Sequence, residues 1–308
     1  MPDIVTLTMN PALDVTTFAD EVVPTRKLRC DEPFYDAGGG GINVAKVARV
    51  LGASAGAVFP AGGARGRQMS GLLDDDRVDA YVVPIADDTR ECFTAIDRTT
   101  GAEYRFVTPG PDVSCGEQER CLEVLTEVAQ DAKYVVASGS FPPGVPGAFV
   151  NRVAEIAHAS GARFVLDSSG DALTSIASGV FLVKPSLGEL SEWVGRDLPT
   201  TEERIAASRE LVERGVAEIV VVSLGAEGAV MVTADDAVEV PALEVDVRSA
   251  VGAGDSMVAG LVVGLLKERS LHDALALGIA CGTAALLTAG SHVCRREDID
   301  RFDVLARR

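Results

Sequence analysis

The 308-residue chain is 47% hydrophobic and carries a formal net charge of −18 at pH 7. This acidic balance excludes a non-specific nucleic-acid binder and a partner of anionic membranes, both of which need a basic surface. The six cysteines form no CxxC pair and the three histidines lie far apart, so the sequence signals neither a zinc site nor a redox motif. The composition predicts a globular protein with a substantial core.

Short β-branched runs between helical patterns predict buried strands. They are IVTLTM, YVVAS, RFVLDSS, FLVKPS and EIVVVSLG. Each run lies beside a stretch with helical periodicity, as expected of strands that are covered on both faces. The sequence therefore predicts an α/β fold with a central, mostly parallel sheet flanked by helices. Because the chain opens on such a run, without the basic start of a signal peptide, we expect a cytoplasmic protein.

The first third of the chain has a different pattern, in which apolar and polar residues alternate. LDVTTFADEV, ECFTAID and AEYRFV follow it, and RTTG joins the last two as a hairpin turn. The alternation predicts half-buried antiparallel strands, around residues 12–36 and 88–108, that form a small sheet projecting from the body. Its exposed face needs a ligand, a second subunit or both as a cover. No Pro-, Gly- or Ser-rich linker divides the chain, so residues 1–308 are expected to form one domain with a β-lid.

The last third contains a further hairpin pattern, MVTADDAVEV, and then the segment VGAGDSM at the start of a long helical stretch. The small residues Gly252, Ala253 and Gly254 allow a tight turn with exposed N–H groups, and the helix N-terminus adds partial positive charge. These features predict an anion-binding loop. Asp255 is interpreted as a general base beside a transferring phosphoryl group rather than as a helix cap, because capping alone needs no glycines.

A run of four glycines at residues 38–41 precedes another apolar helix. Glycines permit a ligand to approach the backbone closely, and Asn43 on the first turn offers a donor and an acceptor to sugar hydroxyls. The alternative is a flexible loop before a core helix, which the entropic cost of four glycines disfavours. Asp14 in NPALD is able to bind a diol, although an ordinary turn aspartate is the default interpretation.

Two common phosphate-binding motifs are absent from the sequence. No lysine follows a glycine, which excludes the GK[ST] of a P-loop. Met257 stands where a dinucleotide fingerprint needs its third glycine, and this disfavours a nicotinamide-dependent dehydrogenase. A nucleotide must therefore bind in another way.

NPALD, GGGGINVA, VSLGAEGA and VGAGDSM follow one another along the chain. With FPAGGARG, YRFVTPG, SGSFPPG and LVKPSLGEL, they resemble the motifs of the ribokinase-like sugar kinases of the PfkB family over essentially the whole length. The resemblance implies an ATP-dependent kinase, often dimerised through a β-lid. It is greatest to members that phosphorylate fructose 6-phosphate on its 1-hydroxyl. In related kinases for tagatose 6-phosphate and fructose 1-phosphate the cluster usually reads G-G-K-G, whereas Gly40 stands at the lysine position here.

The resemblance also implies the residues of the sugar side of the site. By motif match, Asp255 is the catalytic base and the amides of Gly252 to Gly254 form the anion hole. The expected sugar-binding residues are Asp14, Gly38, Gly39, Asn43 and Ser138, with Lys27, Arg90 and Arg105 for the existing phosphate. Lys27 is expected from this subunit or a neighbouring one. Arginine suits bidentate phosphate recognition, and solvated strand charges are the alternative for Arg90 and Arg105.

On the nucleotide side, the resemblance places ATP phosphates and Mg²⁺ near Lys184, Ser186 and Glu189, with Glu189 acting through metal-bound water. The usual family form is N-x-x-E, so Ser186 in place of Asn puts the water network of the metal in doubt. The residues expected to border the nucleotide are Ser223, Gly225, Gly228 and Thr283. A tight hairpin turn is the alternative for the VSLGAEGA segment.

Many members of the family use a monovalent cation beside the anion hole. The positions that match its ligands here are Ser249, Val251, Ala285 and Gly290. Thr288 and His292 depart from the family pattern, so dependence on K⁺ stays open. Two other functions also stay open, namely a kinase for tagatose 6-phosphate or fructose 1-phosphate, and a non-catalytic sensor of sugar phosphates on a kinase fold.

Overall fold

The computed structural model describes residues 1–288, 290 and 292–307. The strands in this part of the chain are β1 (Ile4–Leu7), β2 (Ala12–Ala19), β3 (Phe34–Gly38), β4 (Ala55–Ala61), β5 (Asp79–Pro84), β6 (Arg90–Asp97), β7 (Glu103–Val107), β8 (Tyr134–Ser138), β9 (Arg163–Asp167), β10 (Val180–Val183), β11 (Ala217–Ser223), β12 (Ala229–Val232) and β13 (Ala237–Val240). The helices are α1 (Gly40–Val50), α2 (Gly63–Asp75), α3 (Cys115–Val128), α4 (Phe149–Ala159), α5 (Gly170–Thr174), α6 (Leu187–Val194), α7 (Thr201–Glu213), α8 (Ala253–Leu266), α9 (Leu271–Ala285) and α10 (Arg296–Ala306).

The large sheet has the strand order β13-β12-β11-β10-β9-β8-β1-β4-β5. From β11 to β5 every neighbouring pair is parallel, and β11, β12 and β13 are joined by antiparallel pairs at the other edge. This confirms the predicted mostly parallel sheet, and the β12–β13 hairpin is the one predicted from MVTADDAVEV. Parallel pairing brings the carboxyl ends of β1, β8, β9, β10 and β11 to one edge, where ligands bind in such sheets.

Two apolar cores, one on each face of the large sheet, explain its continuously apolar strands. Successive residues such as Ile4 and Val5 of β1 point into opposite cores, and both are fully buried. One core contains buried residues of α1, α8 and α9, and the other contains those of α3, α4 and α7. No helix in the described residues is long and apolar enough to cross a membrane.

The small sheet has the order β3-β2-β6-β7. Its strands lie in the segments predicted around 12–36 and 88–108, and the turn after β6 is the predicted RTTG hairpin. The prediction of half-buried antiparallel strands was wrong for the two central strands of this sheet. β2 and β6 pair in parallel, and β2 is almost wholly buried. Both strands leave the body side by side, with Ala12 opposite Arg90, so they must run in the same direction.

Candidate active site

Polar side chains from three neighbouring strands meet at the carboxyl edge of the large sheet. Ser138 ends β8, Asp167 ends β9, and Lys184 follows β10. The Ser138 hydroxyl donates to Asp167 Oδ2 over 3.3 Å, and Lys184 Nζ lies 2.9 Å from Asp167 Oδ1. Burial lowers the pKa of Lys184, but the charge and hydrogen bond of Asp167 outweigh it, so the pKa is raised and the side chain stays protonated.

The glycine loop of VGAGDSM lies beside this ammonium group. Gly252 has a positive φ of 73° and begins α8, and the N–H of Ser256 donates to its carbonyl. A Cβ atom added to Gly254 would lie 3.7 Å from Lys184 Nζ, so the loop and the ammonium face the same space. The first turn of a helix presents amides without helical partners, and a positive side chain beside them suits the anion-binding loop that the sequence predicts.

Asp255 lies on the first turn of α8 and is held by the glycine-cluster helix α1. Asn43 Nδ2 donates to Asp255 Oδ2 over 2.8 Å. Burial raises the pKa of the Asp255 carboxyl, and the negative charge of Asp167 raises it further. The hydrogen bond from Asn43 and the charges of Lys184 and Arg105 lower this pKa, but the net shift is upward. The carboxylate is thus oriented by a neighbouring amide and made more basic, as a general base requires.

The four glycines pack tightly against the rest of the site. A Cβ atom at Gly38 would lie 2.2 Å from Asp14 Oδ2, and one at Gly40 would lie 2.4 Å from Ser138 Oγ and 2.6 Å from the Gly139 nitrogen. The N–H of Ile42 donates to Thr8 Oγ1 over 2.9 Å, which fixes the start of α1. The interpretation as a flexible loop is therefore wrong, since side chains would displace the carboxylate and hydroxyl of the site.

One face of the small sheet carries three of the predicted sugar-binding side chains. Asp14 pairs with Cys92, two residues after Arg90 on β6, and Arg105 pairs with Thr94. Directly paired residues, and residues two apart along a strand, point to the same face. Asp14, Arg90 and Arg105 therefore share one face, and the charge of Arg105 already lowers the pKa of Asp255.

The three predicted phosphate-binding cations have different surroundings. The Arg90 guanidinium donates to the carbonyls of Pro11, Thr108 and Asn10, and it retains further N–H donors for a ligand. Arg105 is exposed. Lys27 is also exposed, in the loop between β2 and β3, and its contact with a sugar phosphate stays a prediction.

A cavity of about 520 Å³ lies against the anion-binding loop at the start of α8. Its lining includes all four predicted nucleotide-bordering residues, namely Ser223, Gly225, Gly228 and Thr283, together with Ala253 and Gly254. Most of its other walls are apolar, with Leu243, Val245 and Ile279 among them. The cavity therefore offers an apolar slot that ends at the anion-binding loop, as a nucleotide with a base at one end and phosphates at the other requires.

Ser186 and Glu189 form a capping box at the start of α6. The Ser186 nitrogen and hydroxyl donate to Glu189 Oε2 over 2.7 and 2.9 Å, and the Glu189 nitrogen donates to Ser186 Oγ. Serine and asparagine are both strong N-cap residues, so Ser186 begins α6 as well as the asparagine of the usual family form would. Glu189 also acts electrostatically on Lys184, whose pKa it raises. Its second oxygen is the atom suited to a magnesium-bound water.

The predicted K⁺ positions lie around the loop before α8 and the end of α9. The Ala285 carbonyl accepts hydrogen bonds from both the nitrogen and the hydroxyl of Thr288, over 3.1 and 2.8 Å. A K⁺ ion would have to replace these bonds in order to use that carbonyl. Gly290 has a positive φ of 63° and lies against Thr16 of β2.

Sequence reasoning missed two residues of this region. Asp167 joins Ser138 to Lys184, and its only sequence signal was a carboxylate at the end of the strand RFVLD. Glu103 of β7 accepts a hydrogen bond from Ser249 next to the glycine loop, and the sequence contained no signal for it.

The chain is similar to known carbohydrate kinases over nearly its whole length. The model of the pfkB family of carbohydrate kinases matches residues 6–298. The chain belongs to that family. It is therefore a phosphotransferase with the ribokinase-like α/β fold.

Several relatives are similar over nearly the whole chain. An ATP-dependent 6-phosphofructokinase isozyme 2 of Mycobacterium tuberculosis is 50% identical over 99% of this chain and 90% of its own length. The enzyme of the same name from Escherichia coli K12 is 40% identical over 98% of both chains. A 1-phosphofructokinase of Haloferax volcanii is 34% identical over 96% of this chain and 95% of its own.

Solved structures of E. coli phosphofructokinase-2 superpose closely on this chain. The complex with substrates and products has a TM-score of 0.94 at 38% identity and covers 99% of both chains. The complex with potassium has a TM-score of 0.95 at 39% identity, over the whole of both chains. The tetrameric inhibited form has a TM-score of 0.93 at 38% identity, also over both whole chains.

Proposed function

We propose that this chain transfers the γ-phosphoryl group of ATP to the 1-hydroxyl of fructose 6-phosphate and produces fructose 1,6-bisphosphate. The observation that carries the proposal is the position of Asp255. Its carboxylate lies on the first turn of α8, beside the loop that faces Lys184, and the charge of Arg105 on the small sheet acts on it. Relatives with the 6-phosphofructokinase name at 40% and 50% identity support the same substrate.

In this mechanism the sugar lies between the small sheet and the glycine cluster. Asp14 and Asn43 bind its hydroxyls, and Arg105, with the free donors of Arg90, binds the 6-phosphate. Asp255 then orients the 1-hydroxyl and accepts its proton as the oxygen attacks the γ-phosphorus. The amides of Gly252 to Gly254 and the ammonium of Lys184 stabilise the charge on the transferring group.

Mg²⁺ supplies charge neutralisation to the ATP phosphates when it is bound, and it takes oxygen ligands. The carboxylate oxygen of Glu189 that lies outside the capping box would hold a water of the bound metal. The small sheet acts as a lid that excludes water from the transfer and so limits ATP hydrolysis.

A panel of phosphorylated hexoses tests the substrate. ADP release is measured with fructose 6-phosphate, tagatose 6-phosphate and fructose 1-phosphate, and the product is identified by ³¹P NMR. We expect the highest kcat/KM with fructose 6-phosphate. A clear preference for either of the other sugars would reassign the substrate. Tight sugar-phosphate binding without any turnover would instead identify a sensor.

We further propose a homodimer formed through the small sheet, located in the cytoplasm. Tyr104, Phe106 and Val107 on β7 are exposed by 40, 61 and 58% in the single chain, and Tyr35 on β3 by 40%. Apolar groups this exposed on one sheet mark an interaction surface. All six cysteines are free thiols, which suits a reducing compartment.

A further inference from the structure

A carboxylate of the small sheet is bonded to the loop that precedes the anion-binding glycines. Ser249 Oγ donates to Glu103 Oε2 over 3.0 Å, and the same hydroxyl accepts the N–H of Val251 over 3.2 Å. Ser249 is 2% exposed, so this contact is inside the protein. It connects the first residue of β7 to the residues immediately before Gly252.

Apart from this contact, β7 is paired with β6 of the same small sheet. Its other four residues are exposed, and it is the last strand of the small sheet. Arg105 lies two residues after Glu103 and therefore on the same face of the strand. The position of Glu103 therefore helps to set where the backbone of Arg105 lies relative to the anion-binding loop.

A gain in folding stability does not explain the hydrogen bond between Glu103 and Ser249. Glu103 Oε1 is buried and has no hydrogen-bond partner among the described residues. A buried, unpaired carboxylate oxygen costs stability, because the group has lost its water without a replacement. Local costs of this kind occur in proteins mainly at functional sites.

We infer that Glu103 is a positioning residue that couples the small sheet to the anion-binding loop through Ser249. The inference rests on the proposed function. When the sugar phosphate draws Arg105 toward the site, the Glu103–Ser249 hydrogen bond holds the segment from Ser249 to Gly252 in place. Binding of the sugar phosphate and formation of the anion hole thereby become one event.

A double-mutant cycle tests the coupling. Glu103→Ala and Ser249→Ala are each expected to lower kcat/KM for the sugar phosphate about tenfold, the size of one hydrogen bond to a charged group. The loss appears both in KM for the sugar phosphate and in kcat, while KM for ATP changes little. The double variant is expected to lose little more than Ser249→Ala alone, because Glu103→Ala removes only a contact that Ser249→Ala has already removed.

Two further variants separate positioning from a general structural effect. Glu103→Gln keeps an acceptor oxygen for Ser249 and is expected to retain most of the wild-type kcat/KM. Glu91→Ala removes a carboxylate that pairs with Arg65 on the opposite face of the sheet. This variant is expected to leave kcat/KM for the sugar phosphate unchanged. Hydrogen exchange of residues 103–107 should accelerate in Glu103→Ala and not in Glu91→Ala.

Several outcomes would overturn the inference. They are wild-type kinetics for Glu103→Ala, equal losses for Glu103→Gln and Glu103→Ala, and additive losses in the double variant. If Glu103→Ala does not fold, Ser249→Ala and Glu103→Gln still decide between these results. Wild-type turnover on the hexose panel is measured first, so a failure of the proposed function is recognised separately from a failure of the coupling.

Discussion

Asp255 is the residue on which the proposed chemistry depends, because it is a carboxylate with a raised pKa on the first turn of α8, beside the anion-binding loop. Asp255→Asn should lower kcat by about 10²–10⁴-fold, the usual contribution of a general base. The dissociation constant of ATP, measured by calorimetry, should stay within a fewfold of the wild-type value. A kcat within threefold of wild type would remove Asp255 from the mechanism.

The same substitution should also raise thermal stability at neutral pH. A carboxyl with a raised pKa in the folded state binds more protons there than in the unfolded chain, so stability falls as pH rises through that pKa. At pH 7 the ionised Asp255 therefore opposes folding, and the neutral asparagine removes this opposition. A melting temperature below that of the wild type would contradict the sign of the shift.

Asp167 is expected to influence the pH dependence of kcat/KM through its effect on the Asp255 carboxylate. Its charge contributes to the raised pKa of Asp255, and it holds Lys184. The acidic limb of kcat/KM should lie above the ordinary carboxyl pKa of about 4. Asp167→Asn should move this limb to lower pH, because the like charge is gone and Lys184 acts on Asp255 alone. A pH–rate profile that does not move would show that Asp167 only supports Lys184.

At the scale of elements, helix α1 packs so closely against the end of β8 that residue 40 has no room for a side chain. Gly40→Ala places a Cβ atom within 2.6 Å of the Gly139 nitrogen and 2.4 Å of Ser138 Oγ. We expect a loss of about 1–3 kcal/mol in the free energy of unfolding, as for overpacking. A higher KM for the sugar phosphate should accompany it, since Ser138 must shift.

Gly71→Ala provides the matched control for this prediction. Gly71 lies inside α2, and a Cβ atom there meets nothing within 4 Å. Alanine should therefore stabilise the protein by up to about 1 kcal/mol through helix propensity. Chemical denaturation of both variants measures the difference, and equal stabilities would show that the backbone at residue 40 adjusts freely.

At the scale of the whole molecule, the exposed apolar side chains of the small sheet support the proposed dimer. Phe106→Ser should shift the sedimentation coefficient from that of a dimer to that of a monomer at micromolar concentration. Val304→Ser on α10 is the matched control, since Val304 is 51% exposed but lies outside the small sheet. Dissociation by the control alone, or by neither variant, would place the interface elsewhere.

The sequence by itself determined the fold class and most of the candidate site. Continuously apolar runs beside helical patterns predicted the large parallel sheet, because such strands are buried on both faces. Asp255 and Asn43 were predicted from local patterns, and Ser138 and Lys184 from the resemblance to the family. The structure brings these four residues together at one edge of that sheet.

Only the tertiary structure decided the features that join distant parts of the chain. The parallel pairing of β2 with β6 follows from where both strands leave the body, and alternation within each strand carries no such information. The bond of Asp167 to Lys184, the packing of Gly40 on Ser138 and the bond of Ser249 to Glu103 are likewise invisible to a local pattern. Each depends on the distance between atoms of remote segments, and that distance is fixed only when the two sheets and their helices pack.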